Sequence, residues 1–255
     1  MKYNRAESGN VLWFILVGIV LLGALTMILS RSGSSVDQSG DVEKLNVQAS
    51  QIMRYAKSLE AGVQNMKIQG ISENEISFAN SDSATDYTNT SCDAADDRNY
   101  PYCLMFDSQG GGLNYKIPSA SWLDSAQSAE TYYGDWLITG ASCIPNVGTG
   151  DSPGDCNSSS RTAELLLILP YIKKSLCQRI NILAKAPIST ANPPVESGTA
   201  WDDGSAQFTG SFSIDRHIAD NPTVDIQNIY TGCFEGGGGT PAASTYHFYH
   251  VLLAR

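Results

Sequence analysis

Six cysteines, three histidines and one glycine-flanked serine are the side chains of this 255-residue chain best suited to chemistry. Their spacing limits what that chemistry is. Ser152 lies in GDSPG, 150–154, close to the nucleophile turn of serine hydrolases, but Pro153 replaces the second glycine and every histidine lies downstream. His247 and His250 are three apart, which on a strand puts them on opposite faces rather than around one metal ion. His217 stands alone. The run Gly236–Gly239 has no following Lys-Ser or Lys-Thr, so it is read as a flexible loop and not as a phosphate loop. DAADD, 93–97, offers carboxylate oxygens without the spaced pattern of a calcium loop and reads as a solvated turn. NTS at 89–91 and NSS at 157–159 are glycosylation sequons that mark expected surface. No catalytic residue, cofactor or metal site is assigned.

The cysteines Cys92, Cys103, Cys143, Cys156, Cys177 and Cys233 include no C-x-x-C pair, and an even number points to disulfides formed outside the cytosol. Six cysteines allow many pairings. The set preferred is Cys92–Cys103, Cys143–Cys156 and Cys177–Cys233: two clips on polar loops that lack apolar contacts, and one tie between a late helix and the final strand region. Charge agrees with an exported domain that avoids nucleic acid. Residues 1–31 carry Lys2, Arg5 and Arg31 against Glu7, a net +2, which leaves −12 on the rest of a chain of net charge −10.

The elements that must position these residues begin with an apolar run. Val11 to Leu29 is 19 residues without a charge. At about 1.5 Å per residue it spans roughly 30 Å, the hydrocarbon thickness of a bilayer. Basic Lys2 and Arg5 place the N-terminus in the cytoplasm and the rest outside. A cleaved signal peptide has a shorter apolar core and small residues at its cleavage site, which MILSRSGSS does not offer. A plain single anchor fits the run equally well by length. After the Ser/Gly stretch Arg31–Gly40, the residues Val42, Leu45, Ala49, Ile52, Ala56, Leu59, Val63 and Met66 alternate spacings of three and four, a heptad-like seam. Ser39 or Asp41 is expected to cap this helix and Gly70 to end it. The seam can pack on the chain's own domain, on neighbouring subunits, or both.

Together the short basic leader, Gly9, the segment ESGNVLWFILVGIVLLGALTMILSRSG, the amphipathic continuation and the late cysteines resemble type IV pilins and pseudopilins. The GNVL start and the ending TYHFYHVLLAR also resemble pilin-like proteins of alphaproteobacteria. The resemblance covers about the first 70 residues and, more weakly, the chain end. It implies cleavage between Gly9 and Asn10 and a filament-core helix that includes Val11, Leu12, Phe14, Ile15, Gly18, Ile19, Leu22, Gly23, Leu25 and Thr26. It implies partners as well: other copies of the chain through that helix, the membrane, and a pilus assembly machinery. Pilins usually carry a Glu five residues past the cleavage point, and here that position is Phe14. The difference implies a minor or tip-type subunit, or a leader that stays attached with its amine in water.

The expected organisation is a leader at 1–9, a transmembrane helix at 10–31, an amphipathic helix at 32–70 and a β-rich extracytoplasmic domain at 71–255. The fold class expected is α+β, with the long helix packed on an antiparallel sheet and disulfide-clipped loops. Strands are predicted at Glu75–Ala79, at Tyr102–Asp107 paired with Leu113–Ile117 as a hairpin, at Asp135–Thr139, around Phe208, Phe212 and Ile214, and at Tyr246–Leu253. A helix is predicted at Leu165–Ala184, starting near Pro170 and burying Leu169, Ile172, Leu176, Ile180 and Leu183. The segment 80–99 reads as an exposed polar loop. The leading functional expectation is a filament subunit; the alternatives are a membrane-anchored domain that binds a ligand or protein without polymerising, and a tethered hydrolase.

Overall fold

The computed structural model describes residues 9–95, 99–148, 163–186, 192–196, 198–201, 204–213, 216–218 and 226–255; within the first helix, side chains are described over 13–27 and 40–68. The architecture is α+β. Helix α1 is Gly9–Ile68, β1 Leu137–Cys143, β2 Glu164–Leu169, α2 Lys174–Ala184, β3 Arg216–His217, β4 Thr231–Glu235 and β5 Tyr246–Leu253. The chain divides into two compact units, one ending at Leu45 and the other running from Asn46 to Arg255.

The first unit is helical wherever it is described. The expected break over Arg31–Gly40 is absent from the backbone, so Asp41 lies inside α1 and caps nothing. Continuing a helix adds one hydrogen bond per residue fixed, whereas stopping and restarting requires a second nucleation. Among the described residues no helix is long and apolar enough to cross a membrane; the side chains described cover 13–27 of the expected 11–29 run.

In the second unit the seam docks on the chain's own domain. Ala49, Ile52, Ala56, Leu59, Val63 and Met66 are all fully buried, while Val42 is exposed. The helix ends as expected at Gly70: with φ at 93°, it lets the Gly70 N–H reach Lys67 O and the Ile71 N–H reach Met66 O, both at 3.0 Å, a Schellman closure. Helix α2 closes the same way on Lys185, a non-glycine at φ 52°.

The sheet has the order β3-β1-β2-β5-β4 and is antiparallel except for the two-residue β3, which pairs parallel to β1. Strand β5 matches its expected span, and β1 begins two residues after the expected Asp135. The predicted helix over 165–184 divides. ELLLIL is the central strand β2, buried at every position, and the helix starts only at Lys174. Leucine favours helix by intrinsic propensity, but a short apolar run with a sheet neighbour on each side and cover on both faces is satisfied as a strand. Of the stripe expected for α2, Leu176 and Ile180 are buried there, joined by Cys177 and Asn181, while Leu169 belongs to β2.

Three further strand predictions give way to loops that bury backbone closely. Ser77 and Leu104 form a single bridge. The expected hairpin around SQGGG is a tight turn whose Gly111 N–H returns to Leu104 O at 2.9 Å, without paired strands. Phe208 and Ser213 donate to Ile138 O and Gly140 O, so their segment lies along β1; a Cβ on Gly140 would stand 2.7 Å from the Phe208 ring. Ile214 falls outside the described residues. The glycine run is packed rather than loose: a Cβ on Gly236 would meet Ala242 O at 2.2 Å, and one on Gly239 would meet Gly198 O at 2.6 Å.

Both sheet faces are covered. On one, His250 of β5 meets Glu60 of α1, and Cys233 of β4 is tied to Cys177 of α2. On the other, Tyr249 and Val251 join Trp201, Ala206, Ile218 and Ile229 from loops. Edge strand β4 is closed by side chain and loop. The Asn181 amide donates to Cys233 O at 3.0 Å and accepts from Cys233 N–H at 2.8 Å. Glu235 exchanges backbone bonds with Pro194 and Glu196. An edge so occupied does not recruit a foreign strand.

Candidate functional site

Residues 13–27 of α1 form the described surface least like that of a soluble domain. Phe14, Ile19 and Leu22 are 65 %, 65 % and 67 % exposed, and Ile15 and Leu25 are exposed too. Trp13, Phe14, Ile15 and Leu16 are consecutive, and each helical residue advances about 100° around the axis, so apolar surface encircles the helix. A Cβ placed on Gly18 or Gly23 would have nothing within 4 Å, which leaves the backbone open to close approach. The one hydroxyl in this stretch is internally spent: Thr26 Oγ1 donates to Leu22 O at 3.0 Å or Gly23 O at 2.9 Å. Gly9 and Asn10 begin α1 in the backbone. The side chains of Asn10, Val11 and Leu12 are outside those described.

Two of the expected disulfides are formed, Cys92–Cys103 and Cys177–Cys233. Cys143 is disulfide-bonded, and its expected partner Cys156 lies outside the described residues. So do Ser152, the sequon at 157–159, and Asp96 and Asp97. The other sequon is not surface. Asn89 is buried, and its amide donates to Asn74 O and Ile76 O, both at 2.9 Å. The loop around it is held inward by Tyr87, whose hydroxyl donates to Trp136 O and accepts from Ile138 N–H at 3.0 Å.

No protein-family model matches this chain, and no curated protein or solved structure matches it. The functional reading therefore rests on the residues themselves.

Three polar clusters inside the second unit were not foreseen. Asp135 is buried just before β1. Its Oδ2 accepts from Ser83 Oγ at 2.6 Å and Thr85 N–H at 2.9 Å; its Oδ1 accepts from the Tyr115 hydroxyl and from its neighbour Trp136 N–H at 3.0 Å. Burial, together with the bond to this carboxylate, holds Tyr115 protonated far above its ordinary range. The second cluster is linear: Glu60 Oε2 lies 2.8 Å from His250 Nε2, and His250 Nδ1 lies 2.5 Å from Thr231 Oγ1. It has the residue types of a nucleophilic relay. Its imidazole is fully buried, however, and the line runs from α1 through β5 to β4, so it clamps the helix to the sheet. The third is His247 on the opposite face. Nδ1 accepts from Tyr171 N–H at 3.2 Å, which leaves Nε2 to donate to Thr245 Oγ1 at 2.7 Å. Burial pushes His247 well below its usual range, and lowers His250 and His217 as well. The two strand histidines face apart, as their spacing requires. Among the described residues no group of three or more His, Cys, Asp or Glu could hold a metal ion.

No periodic signal announces these clusters. Asp135 and Ser83, or Glu60 and His250, meet only because distant segments fold together. The single local hint was DWLIT, a carboxylate directly before an apolar strand.

Proposed function

We propose that this chain is a structural, non-enzymatic subunit that assembles with copies of itself through the apolar end of α1, as the resemblance to pilins implies. One observation carries the reading: large apolar side chains are exposed around the whole circumference of residues 13–27. Such a helix needs an apolar environment on every side, which lipid tails or a bundle of equivalent helices supply. Gly18 and Gly23 suit close helix–helix approach. The subunit waits in the inner membrane with its acidic domain outside, is processed between Gly9 and Asn10 by the assembly machinery, and enters an extracellular filament with adhesive potential. Nucleic acid has no part in this reading.

A second reading has its own support. The seam Ala49–Met66 is spent on the chain's own domain, so it offers no second stripe to a neighbour, and this favours an anchored domain that never polymerises. Negative-stain microscopy of native cells and of full-length protein from their membranes separates the two. Filaments whose subunits begin at Asn10 support assembly. A detergent-stable monomer beginning at Met1, with no filaments on cells, refutes it.

A further inference from the structure

A groove of about 520 Å³ runs along the flank of α1 within the second unit, lined by Gln51, Arg54, Tyr55, Lys116, Trp122 and Trp136 together with Ser58. Its chemistry is opposite to that of the molecule around it. Three other clefts contain carboxylates: Asp82 and Asp107 in one, Asp86, Glu130 and Asp135 in another, Asp93 in a third. Among its described lining residues this groove has none, and it carries two cations on a chain of net charge −10.

Several donors here are unspent among the described residues. Among the described residues Arg54 uses only Nε, on Ser50 O at 3.2 Å, and the outer nitrogens of its guanidinium have no partner there. Lys116 Nζ stands 5.8 Å over the Tyr55 ring, and neither cation has a carboxylate partner among the described residues. The Tyr55 hydroxyl accepts from Lys116 N–H at 3.3 Å and keeps its own proton to give. Burial pushes its pKa up to about 12, with Asp135 adding to the effect, so that proton stays in place. Trp136 is spent, its indole N–H donating to Lys116 O at 2.7 Å. Trp122 is half-buried, and its indole N–H has no acceptor among the described residues. The groove therefore offers positive charge, several hydrogen-bond donors and one flat aromatic face.

We infer that this groove is a binding site for an acidic saccharide, a uronate-type sugar whose carboxylate meets Arg54 and Lys116 and whose ring lies against Trp122. A carboxylate takes the two cations, with the planar guanidinium suited to bidentate contact. Sugar hydroxyls accept from the Tyr55 hydroxyl, the Gln51 amide and the Trp122 indole. The axial C–H face of a pyranose covers the indole. The volume lies within the ligand-sized range of about 300–1,000 Å³. The site stands independently of whether the chain polymerises.

The test titrates the full-length protein, in a detergent without a sugar headgroup, with sodium glucuronate, glucose and inorganic phosphate, read by tryptophan fluorescence and saturation-transfer NMR. Glucuronate is expected to bind saturably and about tenfold or more tighter than glucose. Lys116→Ala and Arg54→Ala, both at exposed positions, each weaken it about tenfold, and Trp122→Ala weakens it too. Lys57→Ala, which removes an exposed cation from the same helix outside the groove, leaves it unchanged. Glucose binding as tightly as glucuronate overturns the inference. So does phosphate competing equally well, which would mark a bare oxyanion spot, an equal loss in Lys57→Ala, or no saturable binding.

Discussion

Asp135→Asn keeps shape and volume just before β1 and changes only what the side chain can accept. Each carboxylate oxygen serves one hydroxyl and one backbone N–H: Ser83 and Thr85 on Oδ2, Tyr115 and Trp136 on Oδ1. The hydroxyls can rotate to become acceptors, but the backbone donors cannot. Whichever way the amide turns, its NH2 faces a fixed N–H, of Thr85 or of Trp136. That N–H is left with only its weaker second acceptor, Ser83 Oγ at 3.1 Å for Thr85 or the Tyr115 hydroxyl at 3.5 Å for Trp136, at about 1–3 kcal/mol, and the remaining bonds lose their charge assistance. The expected cost is about 3 kcal/mol, read as a midpoint shift in urea denaturation of the full-length protein followed by the fluorescence of the adjacent Trp136. For a domain of this size that corresponds to roughly 6–12 °C in Tm. Combining it with Tyr115→Phe should cost less than the sum of the two single changes, because both act on one network. A loss below about 0.5 kcal/mol for Asp135→Asn would refute the claim that this carboxylate pins the 83–87 loop to β1.

Other expectations follow from the same geometry. Removing Cys177–Cys233, which closes a separation of 56, should cost about 4.2 kcal/mol by loop entropy against about 2.8 for Cys92–Cys103 at 11, a ranking that denaturation of the paired Cys→Ala variants checks. Gly70→Ala meets nothing within 4 Å but must hold φ at 93°, so thermal melts should show a loss of about 1 kcal/mol from backbone strain alone. Burial lowers all three histidines in the folded chain, so the unfolded chain binds protons first near its usual histidine pKa of about 6.5, and stability falls as pH drops through and below that value. Glu196 runs the other way: burial pushes it up to about 7, so its contribution is complete below the ordinary carboxylate range and lost as pH rises through 7, and Glu196→Gln should steepen the acid-side decline in a pH series of melts. Gly23→Leu should leave the melt of the domain unchanged, since no neighbour lies within 4 Å, while the proposed self-assembly predicts a reduced filament yield by microscopy.

What could be read from residue order alone was whatever a local period or a single residue type dictates. The seam that begins at Val42, the stop at Gly70 and the strand Tyr246–Leu253 each rest on such a signal, and the fold uses the last two and buries the seam from Ala49 to Met66, with Val42 exposed. ELLLIL reads as helix because a six-residue apolar run has no period to distinguish a buried strand from a helix, and Pro170 stands where the strand ends rather than at a helix start. Polarity misled in the 80–99 loop. Tyr87 and Asn89 sit among Asp, Ser and Thr yet are buried, because their side chains satisfy the backbone of Trp136, Ile138, Asn74 and Ile76. The Asp135 and His250 clusters and the Arg54–Lys116 groove combine residues far apart in the chain, and no spacing rule reaches them.

The two parts of α1 differ in how many sides of the helix are apolar, and that difference decides what each can do. Over 49–66 the buried residues form a single stripe, covered from one side by the chain's own domain, including Trp136 against Tyr55 and Met105 and Leu113 beside Gly62, and charged neighbours such as Lys57 remain in water. Over 13–27 consecutive large apolar residues surround the axis, and no single flat surface can cover them. A bilayer can, and so can a ring of identical helices. Moving between these two environments changes little in apolar burial, since both are equally free of water. In the assembly we propose, the balance is then set by packing, by how closely backbones approach at Gly18 and Gly23, and by contacts between the domains that follow. For that reason a small-to-large change at an open glycine bears more directly on assembly than the loss of any one leucine.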